Sequence, residues 1–270
     1  YRVEFSTFTS GPPQVEALNA GQIDVAVTGN TPPVFGAAAG ARVSIVSAYA
    51  NGGEGDRILV AGDSPVRSVA DLAGRKVLVA KGTSAHGHLL LQLRRAGVDP
   101  ESVELIFLQP AEAGSAFSRG DADAWAIWDP YTAIAETTTD VRTIATAAEA
   151  SNGFWFGLAS DDALADARRQ TAIADFLVRL AEAGTWTAEH PAEWAAYYGE
   201  AVGLAPAAAE LSQSRSTRRP VALADTIGPE QELADVFTED GQIDPVDVAA
   251  LVDDRYQDVL APVVGPVPAR

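Results

Sequence analysis

Apolar positions in the first half of the chain come in short runs, broken by small polar residues, glycine and proline. YRVEF, residues 1–5, alternates apolar and polar and predicts a short strand. Gly11-Pro12-Pro13 then opens a helix over 14–19, because proline in the first turn lacks only an N–H that the helix does not use there. Gly21 stops it. IDVAVT, residues 23–28, predicts a buried strand, residues 29–31 a loop, and Pro32-Pro33 the start of a helix running through Ala39. The same unit thus recurs: strand, loop of small polar residues, helix opened by proline.

The alternation continues. Residues 43–49 and 58–61 read as strands on either side of the polar, glycine-rich NGGEGD of residues 51–56. A short helix over 68–72 leads to a strand over 76–80 and a helix over 84–96 stopped by Gly97. A strand over 103–108, a helix over 111–119 stopped by Gly120, and a strand over 124–127 follow, and Trp128-Asp129-Pro130 enters a helix through Glu136. Strands alternating with helices imply βαβ units, hence an α/β fold with mainly parallel sheets covered on both faces. From Asp161 the pattern turns helical, with helices expected over 163–184, 191–198, 206–213, 229–239 and 245–256. The proline- and valine-rich tail, residues 262–270, is expected to be extended or disordered.

Composition narrows the function. The 270 residues carry a formal net charge of −18 and a pI near 4.4, which disfavours nucleic acid and anionic membrane surfaces as partners. Any anion bound here has to be held by local groups. No apolar run approaches the length needed to cross a bilayer. The chain has no cysteine, so disulfides, thiolate metal sites and cysteine nucleophiles are excluded for it. It has no methionine either, which sets the expectation of a processed or truncated start.

Three loops share a design. TSGPP (residues 9–13), TGNTPP (28–33) and KGTSA (81–85) each follow a strand or extended run and open a helix. In open α/β sheets ligands sit beyond the carboxyl ends of the strands, where helix-start N–H groups and hydroxyls can surround an anion without a full countercharge. Ser10, Gly11, Asn30, Thr31, Gly82, Thr83 and Ser84 are the candidates. The plainer reading makes them ordinary helix caps. Lys81-Gly82-Thr83-Ser84 lacks the spacing of a Walker loop, and no G-x-G-x-x-G follows a strand. His86 and His88 point about 200° apart on a helix and cannot share a metal. His86, one turn into its helix, can face a ligand. Ser84 lacks the G-x-S-x-G setting of a hydrolase nucleophile, so a triad with His86 and Asp129 has no support. Trp128 and Asp129 fall at a strand end, Trp125 reads as core, and Trp155 fits either core or cleft. Glu54 and Asp56 read as a solvated acidic turn or as counterions for a ligand amine, and Arg57 as a fork-shaped anion donor. No metal or cofactor is expected.

Read together, SGPPQVEALNAGQIDVAVTGNTPPVFGAAAGA, SPVRSVADLAGRKVLVAKGTSAHGHLLLQLRRAGV and RGDADAWAIWDPYTAIAE resemble the substrate-binding proteins of ABC importers for aliphatic sulfonates, related to taurine and nitrate binders. The resemblance is strongest over residues 10–136. It implies a two-lobe type II periplasmic-binding-protein fold closing on its ligand like a hinged trap. Residues 1–60 and 156–270 would form lobe I and residues 61–155 lobe II. Ser10, Gly11, Asn30 and Thr31 would face the ligand from the first lobe. Gly82, Thr83, Ser84, His86, Trp128 and Asp129 would face it from the second, with Asp129 orienting a donor or capping the next helix. It further implies a strand, a ligand-contacting loop and a helix ahead of Tyr1. The expected protein is a monomeric, extracytoplasmic, non-enzymatic receptor, periplasmic or lipid-anchored, that hands an organosulfonate to a membrane permease. Taurine, nitrate or a thiamine-pyrimidine precursor is the alternative ligand, and an enzyme on the same scaffold the alternative class. The missing cysteine argues against a pyrimidine synthase, and the sulfonate-type loops against chorismate dehydration.

Overall fold

The structure, a computed structural model, describes residues 1–267. Residues 1–8 form no strand, because no neighbouring strand offers them a ladder among the described residues; Tyr1 and Phe5 stand exposed. The alternating pattern alone was insufficient there. Then come α1 (Gly11–Asn19), β1 (Val25–Gly29), α2 (Thr31–Ala38) and β2 (Val43–Ala50); α1 takes in Gly11, Pro12 and Pro13 ahead of its expected start, and the other three fall within two residues of their expected places. The chain continues through β3 (Arg57–Ala61), β4 (Lys76–Val79), α3 (Ser84–Arg95), β5 (Glu104–Phe107), α4 (Pro110–Ser118), β6 (Ala124–Ile127), α5 (Tyr131–Thr138) and β7 (Val141–Thr146). It returns through β8 (Phe154–Ser160), α6 (Asp161–Ala165) and α7 (Ala167–Glu189), then α8 (Pro191–Val202), α9 (Pro206–Ser214), β9 (Arg219–Val221), α10 (Ile227–Glu239) and α11 (Gln257–Leu260).

Two compact units result: residues 1–51, 154–189 and 217–270, and residues 52–153 and 190–216. The family resemblance carries all of 156–270 to the first lobe. In the structure 190–216 belongs to the second unit, where Arg215, just after α9, forms ion pairs with Asp129 and Glu136.

The first unit holds a four-stranded sheet of order β1-β8-β2-β9, the second a five-stranded sheet of order β5-β4-β6-β3-β7. Mainly parallel sheets were expected, and here the structure differs. Parallel pairing is confined to β4 with β5 and β6, while β3 and β8 run antiparallel to both of their neighbours. The reason is connectivity: β3 enters the second unit and β8 re-enters the first, so each is inserted against the direction of the strands that flank it. β8 is consequently buried on both faces. Phe156 and Leu158 pack into one cluster with Val15, Leu18 and Ile45, whereas Ala159 joins Val46, Tyr49 and Leu177 on the other. A bulge between Ile45 and Ser47 lets Ile45 and Ala48 face the same cluster despite their odd spacing.

The helix expected over 245–256 does not form; a 3-10 turn, Val248–Leu251, stands there instead. Its backbone is taken by distant partners: Val248 N–H donates to Gln231 Oε1 at 3.0 Å and Asp253 N–H to Ile45 O at 2.9 Å. Those bonds replace the i→i−4 ladder. Of the tail, Gly265 bridges to Val221, and residues 268–270 lie outside the described residues. Among the described residues no helix is long and apolar enough to cross a membrane.

Candidate functional site

In the first unit two helix starts lie side by side. A Cβ on Gly11 would stand 2.4 Å from Cγ of Pro32 and 3.4 Å from Cβ of Thr28. The start of α1 therefore reaches the start of α2 only because residue 11 has no side chain. The proline ring cannot swing away, so Gly11→Ala is expected to cost about 1–3 kcal/mol through overpacking. A lowered urea midpoint at unchanged slope would show it, and an unchanged midpoint would refute the close contact.

Ser10, Asn30 and Thr31 are all buried at these starts. The plain reading of such residues is capping, yet neither Ser10 nor Asn30 makes a side-chain cap bond to its own helix. Thr31 Oγ1 donates to Asn30 Oδ1 at 3.2 Å, which fixes the orientation of the carboxamide. The positive ends of two helix dipoles lie together here, and because Pro12, Pro13, Pro32 and Pro33 carry no N–H, Gly11 and Thr31 supply the leading backbone donors. The arrangement suits a small anion.

The second unit offers the start of α3, and there the structure sorts the candidates. Gly82 N–H donates to His86 Nδ1 at 3.3 Å, and Thr83 Oγ1 donates to Ala80 O at 2.7 Å. Those two donors are engaged within the loop. Thr83, like the other two, makes no side-chain cap bond to its helix. His86 lies fully buried with its ring edge-on to Phe107 at 5.3 Å. Burial, helped by the Lys81 charge, pushes its pKa down to about 3. The ring is neutral, and with Nδ1 accepting, its proton sits on Nε2. Ser84, at the first position of α3, is half-buried.

Trp128 is half-buried and meets Tyr131 edge-on at 6.0 Å, while Trp125 packs into the core against Phe117. Asp129 behaves as the helix-capping alternative describes. Its Oδ1 accepts from Ala133 N–H at 3.0 Å and from the Thr132 hydroxyl, securing the start of α5. Arg215 Nη1 stands 3.7 Å from the same oxygen. Burial raises the Asp129 carboxyl above its usual range, against the pull of these partners.

Arg57 is not a spare anion donor: its guanidinium donates to Glu136 at 3.0 Å, to Thr143 at 3.2 Å and to the Glu54 carbonyl at 2.9 Å. Trp155 lies in the first unit's cluster, with the Arg218 guanidinium 5.4 Å above its ring. Arg218 holds φ at +44°, a strained value for a long side chain. Arg215, Glu136 and Arg218 were not singled out by the sequence as site residues. No local pattern marks them, since Arg215 meets Glu136 across 79 positions.

Two α/β units linked by repeated chain crossings, each presenting polar helix starts fitted to an anion, define a solute receptor of the periplasmic-binding type. Residues 1–210 match the family described as the periplasmic substrate-binding protein of phosphonate ABC transporters, and the chain belongs to that family. The putative aliphatic sulfonates-binding protein of Escherichia coli K12 is 37% identical over 242 residues, covering 88% of this chain and 75% of that protein. Its namesake in Bacillus subtilis 168 is 31% identical over 257 residues, covering 94% and 77%. The solved alkanesulfonate-binding protein SsuA from Xanthomonas axonopodis pv. citri, bound to MOPS, matches with a TM-score of 0.83 at 31% identity, covering 92% of this chain and 86% of that one.

Proposed function

We propose that this chain is the extracytoplasmic receptor of an ABC importer, and that it captures a small aliphatic sulfonate and passes it to a membrane permease without transforming it. The observation that carries the reading is the pair of helix starts brought side by side where Gly11 meets Pro32, with Ser10, Asn30 and Thr31 buried around them. A sulfonate is a monoanion with three acceptor oxygens and no proton. Neutral donors and helix-start amides satisfy it without a full countercharge. The names of the relatives, which are binding proteins for aliphatic sulfonates, support the same ligand class. On this reading Ser10, Gly11, Asn30 and Thr31 supply one set of contacts. Ser84, Trp128 and the first turn of α3 supply another, with Gly82, Thr83 and His86 holding that loop in shape. The receptor acts as a monomer.

Thermal stability against a ligand panel tests the assignment on the full-length protein. Ethanesulfonate at one hundred times its dissociation constant is expected to add about 2.7 kcal/mol. Methylphosphonate, nitrate and a pyrimidine are expected to add markedly less at equal concentration. A stabilisation by methylphosphonate that exceeds every alkanesulfonate would overturn the sulfonate assignment while leaving the receptor class intact.

A further inference from the structure

We propose that Trp155 is a specificity-determining residue of the anion site in the first unit: its indole carries the alkyl chain of the ligand and so sets a preference for chain length. The inference rests on the sulfonate reading above and deepens it. It begins from the place of Trp155 in the sheet. β8 lies between β1 and β2, and Trp155 pairs with Gly29 on one side and with Tyr49 on the other. Gly29 is the last residue of β1, and Asn30 and Thr31, at the start of α2, follow it directly. Trp155 therefore stands one strand spacing, about 4.8 Å, from the end of the strand that delivers the buried polar cluster.

Residues directly opposite each other in a ladder point to the same face. On the Tyr49 side that face is filled, because Tyr49 is buried in the cluster against which Trp155 packs. On the Gly29 side β1 offers no side chain. The indole is accordingly half-buried, whereas Phe154 and Phe156, which point to the opposite face, are buried. The flank that β1 leaves uncovered is the one on which α2 begins. An apolar surface open beside an anion site suits an amphiphile, with its charged head at the helix starts and its hydrocarbon tail on the ring.

The ring is also held in place, and Arg218 is the positioning residue. Thr217 Oγ1 donates to Ala50 O at 2.8 Å, and Arg219 pairs with Ala50 in the ladder between β2 and β9. Between these two anchors Arg218 takes its φ of +44°, and its carbonyl lies against α7, where a Cβ on Gly184 would stand 2.6 Å from Arg218 O. The pinned backbone aims the guanidinium over the indole at 5.4 Å. A cation stacked on the ring fixes its orientation. Backbone strain of this kind persists where the surroundings over-determine it, and it concentrates at binding and catalytic sites. The same charge disfavours a tail that ends in an ammonium group, so the surface selects neutral alkyl tails.

The test is calorimetric titration of the n-alkanesulfonates from methane- to hexanesulfonate into the full-length protein, in phosphate buffer. Wild-type affinity is expected to rise about two- to fourfold per added CH2, the upper figure being full burial of the group. Trp155→Ala should lose most of this rise while methanesulfonate, which has almost no tail, binds as to the wild type. Trp155→Phe should keep an intermediate rise. Arg218→Met should lower the rise, and Arg218→Lys should restore part of it. Gly29→Val, which places a side chain on the uncovered flank, should weaken hexanesulfonate more than methanesulfonate, and it keeps the test decisive if Trp155→Ala folds poorly. Taurine should bind more weakly than propanesulfonate, which has the same length and no charge on its tail. A wild-type affinity independent of chain length, a Trp155→Ala variant that keeps the wild-type rise, or an equal loss at every chain length overturns this role alone, as does tighter binding of taurine than of propanesulfonate. Absence of binding by every alkanesulfonate overturns the sulfonate reading and this role with it.

Discussion

Arg215→Met is expected to destabilise the protein by about 3 kcal/mol, at the lower end of the range for breaking a buried ion pair from one side. The Arg215 side chain is only 11% exposed, and it bridges Glu136 and Asp129, which are 18% and 13% exposed. Methionine fills comparable volume and supplies no charge. Asp129 would then keep only neutral donors from Thr132 and Ala133, whereas Glu136 would retain Arg57 at 3.0 Å. That surviving partner places the expected loss low in the range. Urea denaturation followed by tryptophan fluorescence measures it. Adding Asp129→Asn should recover part of the loss, because the carboxylate left with only neutral donors is removed. A loss below about 1 kcal/mol, typical of exposed pairs, would mean that the bridge is solvated in solution. Arg215 also pulls down the proton affinity of Asp129. Its removal should therefore destabilise the protein less at acid pH, where that carboxyl carries a proton.

His88→Leu is expected to make the fold markedly less sensitive to acid. His88 is fully buried, and neither ring nitrogen has a hydrogen-bond partner among the described residues. Burial pushes its pKa down to about 3 from an ordinary 6.5. The sign follows from proton counting. Between these two values the unfolded chain binds a proton that the folded chain refuses, so stability is complete above the ordinary value and is lost as pH falls toward the depressed one. At about pH 4.5, two pH units below the ordinary value, the loss is about 3 kcal/mol at roughly 1.4 kcal/mol per unit. Leucine carries no such linkage. The stability difference between His88→Leu and wild type should therefore widen by about 3 kcal/mol between neutral pH and about pH 4.5. His86, depressed to a similar value, contributes acid sensitivity of the same sign. If the difference between the two proteins were independent of pH, His88 would not be held neutral by burial.

The elements that build the three polar loops were legible because their cues are local. Proline in the first turn marks α1 and α2, glycine past the last turn marks α1, α2 and α3, and the strands before α2 and α3 announce themselves as apolar runs. The strands β7 and β8 were not foreseen. FWFGLAS is buried on both faces and shows no alternation, and VRTIAT lies at the sheet edge with mixed polarity, so neither carries a periodic signature. The turn at Val248–Leu251 was misread for the opposite reason: the local sequence favours helix, and long-range bonds to Gln231 and Ile45 prevail.

The site divides along the same line. GNTPP and SGPP state their chemistry in a few consecutive residues, since a helix start is assembled from neighbours in the chain. KGTSAH marks its loop equally well, but only the fold shows that Gly82 and Thr83 are engaged internally. Asp56 looked like a solvated turn because its six-residue neighbourhood is polar and rich in glycine. Its carboxyl is pushed up to about 7, chiefly by desolvation, which comes only with the packing of the second unit. By itself, then, the chain determined its α/β alternation, its three polar helix starts and its family, all of which rest on short-range spacing. The tertiary structure alone decided strand direction, the membership of residues 190–216 in the second unit, and the state of its buried acids, bases and ion bridges. Those depend on desolvation and on charges brought together from distant positions, and neither is written in any local stretch of sequence.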